Sequence, residues 1–263
     1  MSAIDQEINK VNAQLAKTPD DQQLKETKAA LLNNKAIELS KRERHEEAIK
    51  NVNEAIELNP NQAIFYCNKA NFLQRLNRYP ESIECAEQAL KTDPSYENAR
   101  DTLAASLNNQ YVIDCEKGSN EEALERINKA LELKPNEKVF LSNKASVLNK
   151  LSKLDESMEL AEKALAIDPA FNNPKKIKAS ILNKLSMADS EEGKNEEALE
   201  KVNRAIELNS NEMAFHVNKA VYLVYLNNFK EAGEIADRVL KAEAHNKTAK
   251  QIRDIASKNF KAK

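Results

Sequence analysis

Apolar residues recur along this chain at the spacing of a helix that buries one face. From Ala48 to Ile56 they are separated by intervals of three, four and seven residues, and Pro60 then forbids further helix. The same stripe recurs at Ala123, Ile127, Ala130 and Leu131, and again at Ala198, Val202, Ala205 and Ile206. No segment alternates with period two for long enough to make a strand, and only three glycines interrupt 263 residues. The pattern therefore predicts an all-α protein.

The helical pattern is itself repeated, because three consecutive blocks of 75 residues align with one another without a gap. The blocks are 22–96, 97–171 and 172–246. Columns that recur in all three include Leu32, Leu107 and Leu182; Asn33, Asn108 and Asn183; Phe65, Phe140 and Phe215; Asn68, Asn143 and Asn218; and Ala70, Ala145 and Ala220. In such an array each unit buries its apolar face against its neighbours, and the usual product is a long binding surface. We therefore expect binding rather than chemistry.

Each block divides into a long and a short half, and each half has the pattern of a helix pair. The long halves, of 41 residues, are 22–62, 97–137 and 172–212; the short halves, of 34, are 63–96, 138–171 and 213–246. The surplus of seven residues equals about two helical turns. In the long halves the small close-packing residue also occurs twice, seven apart, as at Ala29 and Ala36. We therefore predict that the first helix of each long half is lengthened by two turns.

The short halves resemble a known repeat family. Ala70, Leu73, Tyr79, Ala89 and Pro94 follow the small, apolar, aromatic, small, proline order of a tetratricopeptide repeat, although the chain has no tryptophan. The resemblance covers nearly the whole chain. It implies a right-handed α-solenoid of six antiparallel helix pairs, arranged as three 75-residue double repeats, with capping helices at both ends.

The two ends of the chain carry the predicted caps. Residues 1–21 contain Ile8, Val11 and Leu15 at helical spacing. Residues 247–263 belong to a basic tail in which Lys241 to Lys263 include seven Lys or Arg against two acidic residues. The apolar positions of that tail have helical spacing and suit a helix that closes the last apolar face: Ile252, Ile255, Ala256 and Phe260. Contact with an anionic partner or a membrane is the alternative role for the tail.

The charge and the cysteine content of the chain restrict the partners and the cellular compartment that we expect. The formal net charge is −2 and the pI is about 6.1, so the chain lacks the overall positive charge that is typical of nucleic-acid-binding proteins. The N-terminus lacks the apolar run of a secretory signal, and no run reaches membrane-spanning length. The three cysteines Cys67, Cys85 and Cys115 are odd in number and lie in helical patterns. We expect reduced thiols, a cytoplasmic location and neither nucleic-acid nor membrane partners.

Catalytic and metal-binding patterns are not found in the sequence. His45, His216 and His245 fall in different repeats, and phosphate loops need glycine clusters that three glycines cannot form. Paired glutamates such as Glu46 and Glu47 open helices, where negative charge favours the positive end of the dipole. We predict a non-enzymatic protein with no cofactor and no catalytic or metal site.

The informative polar feature is a ladder of amides on the first helices. Two residues before each small close-packing position lie Asn34, Asn68, Asn109, Asn143, Lys184 and Asn218, and one residue earlier in the long halves lie Asn33, Asn108 and Asn183. First helices line the concave wall of a two-layer solenoid. A row of short amides there can satisfy the backbone of an extended peptide without reading its side chains. The same amides could instead bond to the neighbouring helix and fix repeat geometry, and both interpretations stay open.

Two narrower resemblances bear on the partner. Phe65 to Ala70 looks like the second-repeat segment of domains that clamp acidic chaperone tails, which use an asparagine at the place of Asn68. The positions where that clamp needs its other groups hold Asn33, Ile37, Ala105 and Asn109, so its cationic residues are missing. The long halves are also similar to kinesin light chain repeats in spacing and in the Leu-Asn-Asn motif, although that family's acidic loop is absent.

The function predicted from sequence is therefore a protein-protein interaction adaptor or scaffold. It would bind an extended peptide or a partner helix in the asparagine-lined groove. The alternatives are a self-assembling solenoid that forms a homo-oligomer, and a co-chaperone that binds an acidic C-terminal tail.

Overall fold

The computed structural model describes residues 2–260 and contains only helices as regular structure within them. The fourteen helices of this described part are α1 (Ala3–Leu15), α2 (Gln22–Lys41), α3 (His45–Leu58), α4 (Ala63–Arg75), α5 (Tyr79–Thr92), α6 (Glu97–Glu116), α7 (Asn120–Leu133), α8 (Lys138–Lys150), α9 (Leu154–Ile167), α10 (Asn172–Glu191), α11 (Asn195–Leu208), α12 (Met213–Tyr225), α13 (Phe229–Ala242) and α14 (Lys247–Phe260). The predicted all-α fold of paired repeat helices is confirmed. None of these helices is long and apolar enough to cross a membrane.

The predicted helical extension is also confirmed, because first helices alternate in length. Helices α2, α6 and α10 have 20 residues each, whereas α4, α8 and α12 have 13. The seven extra residues are helical rather than looped. Their interiors lack glycine, and Pro174 lies in the first turn of α10, where its missing N–H would have no partner in any case.

The same three-residue turn joins the two helices of every pair. The residue at its centre has positive φ in all six pairs: Glu43, Asn77, Gly118, Ser152, Gly193 and Asn227. The next N–H donates back to a carbonyl five residues earlier, as Arg44 N does to Leu39 O at 3.0 Å and Lys194 N does to Asp189 O at 2.9 Å. This backbone pattern ends a helix and reverses the chain. It explains why each pair is a tight hairpin of helices.

The chain packs as two compact units, of which the first comprises residues up to Pro135. Within it α2 packs on α3, α4 on α5 and α6 on α7, and the first helices α2, α4 and α6 also touch in succession. One core of this unit combines small Ala29, Ala36 and Ala48 with larger Leu32 and Val52. Small residues at the crossing points allow the helices to approach closely.

Helix α1 is fixed to this first unit by Asp5. The Asp5 carboxylate accepts from the Ser2 backbone N–H at 3.0 Å, while the Ser2 hydroxyl accepts from the Asp5 N–H at 3.2 Å. Its other oxygen meets the Lys35 ammonium of α2 at 2.9 Å. The Lys35 hydrogen bond, followed by those from Ser2, holds the pKa of Asp5 well below its usual range. These contacts suit the proposed N-terminal cap.

The second unit begins at Asn136 and holds α8 to α14. Helix α14 packs on α12 and α13, where Ala249 and Ile252 join the core formed by Ile235 and Val239. A Cβ placed at Gly233 would lie 3.2 Å from the Cβ of Ala256, so α13 and α14 meet without room for a larger pair. We keep the capping role of residues 247–263 as a proposal.

The apolar stripe predicted for the tail is partly buried. Ile252 and Ala256 are buried, whereas Ile255 is exposed. The side chain of Phe260 and residues 261–263 lie outside the described part of the chain, as does Met1.

Candidate functional site

The predicted amide ladder is used in part to join successive first helices. In the first unit Asn68 Nδ2 on α4 donates to Asn33 Oδ1 on α2 at 2.8 Å, and Asn33 is only 4% exposed. In the second unit Asn218 Nδ2 on α12 donates to Asn183 Oδ1 on α10, also at 2.8 Å. Both pairs hold neighbouring repeats in register. These bonds join neighbouring helices, which is one of the two roles that the sequence left open for the amides. Binding of a ligand by the ladder stays a proposal.

The remaining ladder residues have different environments. Lys184 Nζ donates to the Asn149 carbonyl at 2.6 Å and so also joins two first helices, α10 and α8. Asn34 is exposed, whereas Asn108, Asn109 and Asn143 are half-buried. Two pairs of the predicted set that the structure brings together are Asn33 with Asn68 and Asn183 with Asn218.

A second group of polar contacts between first helices was missed from the sequence. Gln74 Nε2 on α4 donates to Ser106 Oγ at 2.6 Å and to the Thr102 carbonyl at 2.9 Å, both on α6. Asn173 on α10 donates to Ser142 Oγ on α8 at 2.7 Å. These residues are not identical among the three blocks, so a search for recurring columns passes over them.

An open pocket lies beside Asn218 in the second unit, and we call it the α10–α12 pocket. Its volume is about 490 Å³. It is lined by Met187, Ser190 and Glu191 of α10, by Asn195 at the start of α11, and by Asn218, Val221, Tyr222 and Tyr225 of α12. Sequence analysis did not predict it as a site, because only Asn218 belongs to a recurring column.

The apolar part of this pocket is unusually accessible. Tyr225 is 58% exposed and Met187 is 45% exposed, although most apolar side chains of this fold lie between helices. Tyr222 is buried, and its hydroxyl lies 3.1 Å from Ser186 Oγ. The pocket therefore presents one free aromatic ring and one flexible thioether above a fixed wall.

The charged side chain that lines the pocket is a carboxylate, that of Glu191. The pKa of Tyr222 is raised, first by burial and then by the nearby charges of Asp189 and Glu191. Asp189 forms an ion pair with Lys201, whereas the described part of the chain supplies Glu191 with no ion-pair partner. No group of three potential metal-ligand side chains occurs among residues 2–260. A carboxylate that is given no ion-pair partner by residues 2–260 thus lines the same pocket as an exposed aromatic ring.

The first unit contains the same repeat position, 150 residues earlier. There Ser40 Oγ lies 3.1 Å from His45 Nδ1, as Ser190 Oγ lies 2.9 Å from Asn195 Oδ1. The eight positions that line the pocket in the second unit are here occupied by Ile37, Ser40, Lys41, His45, Asn68, Asn71, Phe72 and Arg75. The supporting hydrogen bonds are alike in the two units, while Lys41 replaces Glu191 and Arg75 replaces Tyr225.

Helix pairs with one constant turn, alternate first-helix lengths and polar bonds between successive first helices define a helical repeat protein. Family models described as tetratricopeptide repeat match residues 52–84, and residues 29–62 and 140–171. The matched segments therefore have the pattern of tetratricopeptide repeats.

The chain is also similar to solved structures. One is the crystal structure of YrrB, described as a TPR protein with an unusual peptide-binding site; it is 23% identical, covers 77% of this chain and 97% of its own, and has a TM-score of 0.49. Another, Naa15/Naa10 bound to HypK-THB, is 16% identical with a TM-score of 0.54. That match covers 95% of this chain but only 36% of the other. No curated protein matches the sequence.

Proposed function

We propose that this protein is a non-enzymatic adaptor that binds an extended peptide on the first helices of its repeats. Tetratricopeptide repeat proteins mediate protein-protein interactions, and repeat arrays present long surfaces for this purpose. The α10–α12 pocket carries the proposal, because it places the predicted ladder residue Asn218 beside exposed Tyr225 and Met187.

The chemistry of these side chains suits contact with a peptide. Tyrosine and methionine are enriched at protein interfaces, since an aromatic ring offers a large rigid contact and a thioether adapts its shape. Asn218 lines the pocket and uses one N–H for Asn183, and an amide has a carbonyl oxygen and a second N–H that are suited to peptide backbone groups. Together these three side chains can bind a peptide without requiring one particular peptide sequence.

A reducing, cytoplasm-like compartment belongs to the same proposal. Cys67, Cys85 and Cys115 are all free thiols, and burial raises the pKa of the Cys67 thiol. A thiol in that state is a poor nucleophile and is suited to packing.

The acidic-tail alternative has less support than peptide binding at this pocket. Asn68 already donates to Asn33, and the half-buried Ile37 and Ala105 add no positive charge there. Self-assembly stays an alternative that the binding test must distinguish.

The test is selection of peptides from a random display library on the whole purified chain. We expect selected peptides to bind with micromolar Kd by fluorescence anisotropy, and Tyr225→Ala and Met187→Ala to weaken them by about tenfold or more. Ile167→Ala is the matched control, because Ile167 is equally exposed but lies on a second helix, α9. Peptides that bind all three variants alike would contradict the proposal. Light scattering on the same samples detects self-assembly.

A further inference from the structure

The lining of the α10–α12 pocket contains acceptors and aromatic surface but no cation. Glu191 supplies a carboxylate, Asn218 and Asn195 supply amides, and Tyr225 supplies an exposed ring. A cation held against a tyrosine face and a carboxylate satisfies both at once, because the ring face is negative and the carboxylate accepts hydrogen bonds.

Several lysines near the pocket in sequence already have partners, and one of them, Lys184, donates to the Asn149 carbonyl. Lys194 pairs with Glu192 at 2.6 Å, Lys201 pairs with Asp189, and Lys219 lies 3.2 Å from Glu231. None of them lines the pocket. Residues 2–260 thus supply no ion-pair partner for Glu191, and its charge is open to a group of the bound peptide.

We propose that the α10–α12 pocket binds an arginine side chain of the extended peptide, which makes arginine the specificity determinant of the partner. The proposal rests on the peptide-binding function above. A guanidinium stacks flat on the Tyr225 ring while its N–H groups reach Glu191 and the Asn218 carbonyl oxygen. Lysine fits less well, because its ammonium is a point charge that cannot stack and is more strongly hydrated.

The size of the pocket agrees with such an occupant. A volume of about 490 Å³ lies within the range of about 300–1,000 Å³ typical of ligand sites. It accepts one long side chain together with part of the peptide backbone on either side. Met187 then covers the aliphatic stem of the arginine, for which a flexible thioether is well suited.

The counterpart in the first unit supports the assignment by contrast. Lys41 and Arg75 stand where Glu191 and Tyr225 stand in the second unit, and both are exposed. A peptide arginine placed there would meet two positive charges. The same repeat position would therefore attract a peptide arginine in the second unit and repel it in the first.

The experiment uses position-scanning peptide libraries in which one central position is fixed and the others are random. We expect pools with fixed arginine to bind the whole chain about tenfold more tightly than pools with fixed glutamine, and more tightly than pools with fixed lysine. Glu191→Gln should remove most of that preference, and Glu191→Lys should reverse it toward pools with fixed glutamate. Glu207→Lys is the charge-matched control, because Glu207 is exposed on α11 and does not line the pocket.

The outcomes separate the two proposals. If pools bind and Tyr225→Ala weakens them, but arginine gives no advantage or the advantage survives Glu191→Lys, the arginine assignment is overturned and peptide binding stands. If pools with fixed lysine and fixed arginine bind equally, charge attraction alone explains the preference without stacking on Tyr225, and the assignment of arginine is overturned. If no pool binds, both proposals fall together. An equal loss in Glu207→Lys would show that overall charge governs the preference and would also overturn it.

Discussion

The α10–α12 pocket and its counterpart in the first unit differ in what they present to solvent and agree in what holds them together. An Asn–Asn bond of 2.8 Å joins the first helices in both, and a serine contacts the first residue of the next helix in both. Beyond those contacts, Glu191 and Tyr225 contrast with Lys41 and Arg75. The comparison teaches that repeat geometry and partner choice are carried by different residues on the same helices.

Removal of the terminal helix is the change expected to have the largest effect on this comparison. Helix α14 packs on α12, which supplies half of the α10–α12 pocket. Deleting residues 247–263 exposes Ile235 and Val239 and should cost at least about 4 kcal/mol of unfolding free energy. We expect the thermal midpoint to fall by on the order of 10 °C and arginine-pool binding to be lost.

A charge-only variant controls for the basic residues of the tail. Lys250→Gln with Lys258→Gln removes exposed charge and keeps the buried face of α14. This variant should match the parent in stability and binding. A truncated protein that keeps its thermal midpoint but loses its partner would instead assign the basic residues to a contact site, and the capping proposal would be wrong.

Removal of the amide pairs comes next in size and compares the two units directly. Asn68→Ala leaves the Oδ1 of Asn33 buried without its donor, which should cost about 1–3 kcal/mol. Asn218→Ala leaves the half-buried Asn183, which water can reach, so its cost should stay below about 1 kcal/mol. Urea unfolding measures both.

The same two variants should differ in peptide binding, and here the larger loss is expected for Asn218→Ala. Asn218→Ala should weaken arginine-pool binding, whereas Asn68→Ala should leave it unchanged as long as the protein is folded. Equal stability costs, or loss of binding from Asn68→Ala alone, would show that the two pairs do not divide their roles in this way.

Much of the fold was predictable from the sequence, because it follows from repetition. The gapless alignment places Leu32 and Leu107 at equivalent packing positions. The surplus of seven residues equals about two helical turns, and it lengthens the first helix of each long half. The candidate site was harder to predict for the same reason. Tyr225 recurs in no other block, and Glu191 recurs as Glu116 in the second block but not in the first. A search for columns shared by all three blocks therefore discards both residues.

Part of the amide ladder could not be resolved by pattern alone either. Asn33 and Asn34 are adjacent and alike in sequence, yet Asn33 is buried against α4 while Asn34 is exposed. A one-residue step turns a helical side chain by about 100°, and only packing decides which of two neighbours meets the next helix.

Transfer of the pocket lining tests whether partner choice can be moved between units. Lys41→Glu with Arg75→Tyr gives the first unit the charge and ring of the second, and both positions are exposed, so little stability should be lost. We expect isothermal titration with an arginine-containing selected peptide to show two sites instead of one, the new site within about tenfold of the old. Lys50→Glu on the second helix α3 reproduces the charge change of Lys41→Glu at an exposed position outside the transferred lining and should leave one site. A stoichiometry of one in the transfer variant would mean that residues outside the lining decide recognition.

The smallest expected effect concerns the turn that both units share. Glu43 has φ of 60° and Gly193 has φ of 80° at equivalent positions, and a Cβ at Gly193 would meet no atom within 4 Å. The left-handed conformation therefore costs a side chain only its own backbone strain, about 1–2 kcal/mol before the greater freedom of unfolded glycine is subtracted. Glu43→Gly should stabilise the protein by about 0.5 kcal/mol and Gly193→Ala should destabilise it by about 1 kcal/mol in urea unfolding. Asn77→Gly should change less than Glu43→Gly, because asparagine tolerates positive φ. If Glu43→Gly and Gly193→Ala shift the midpoint in the same direction, the two turns are not equivalent, and the residues around Glu43 must support it in a way that backbone conformation does not explain.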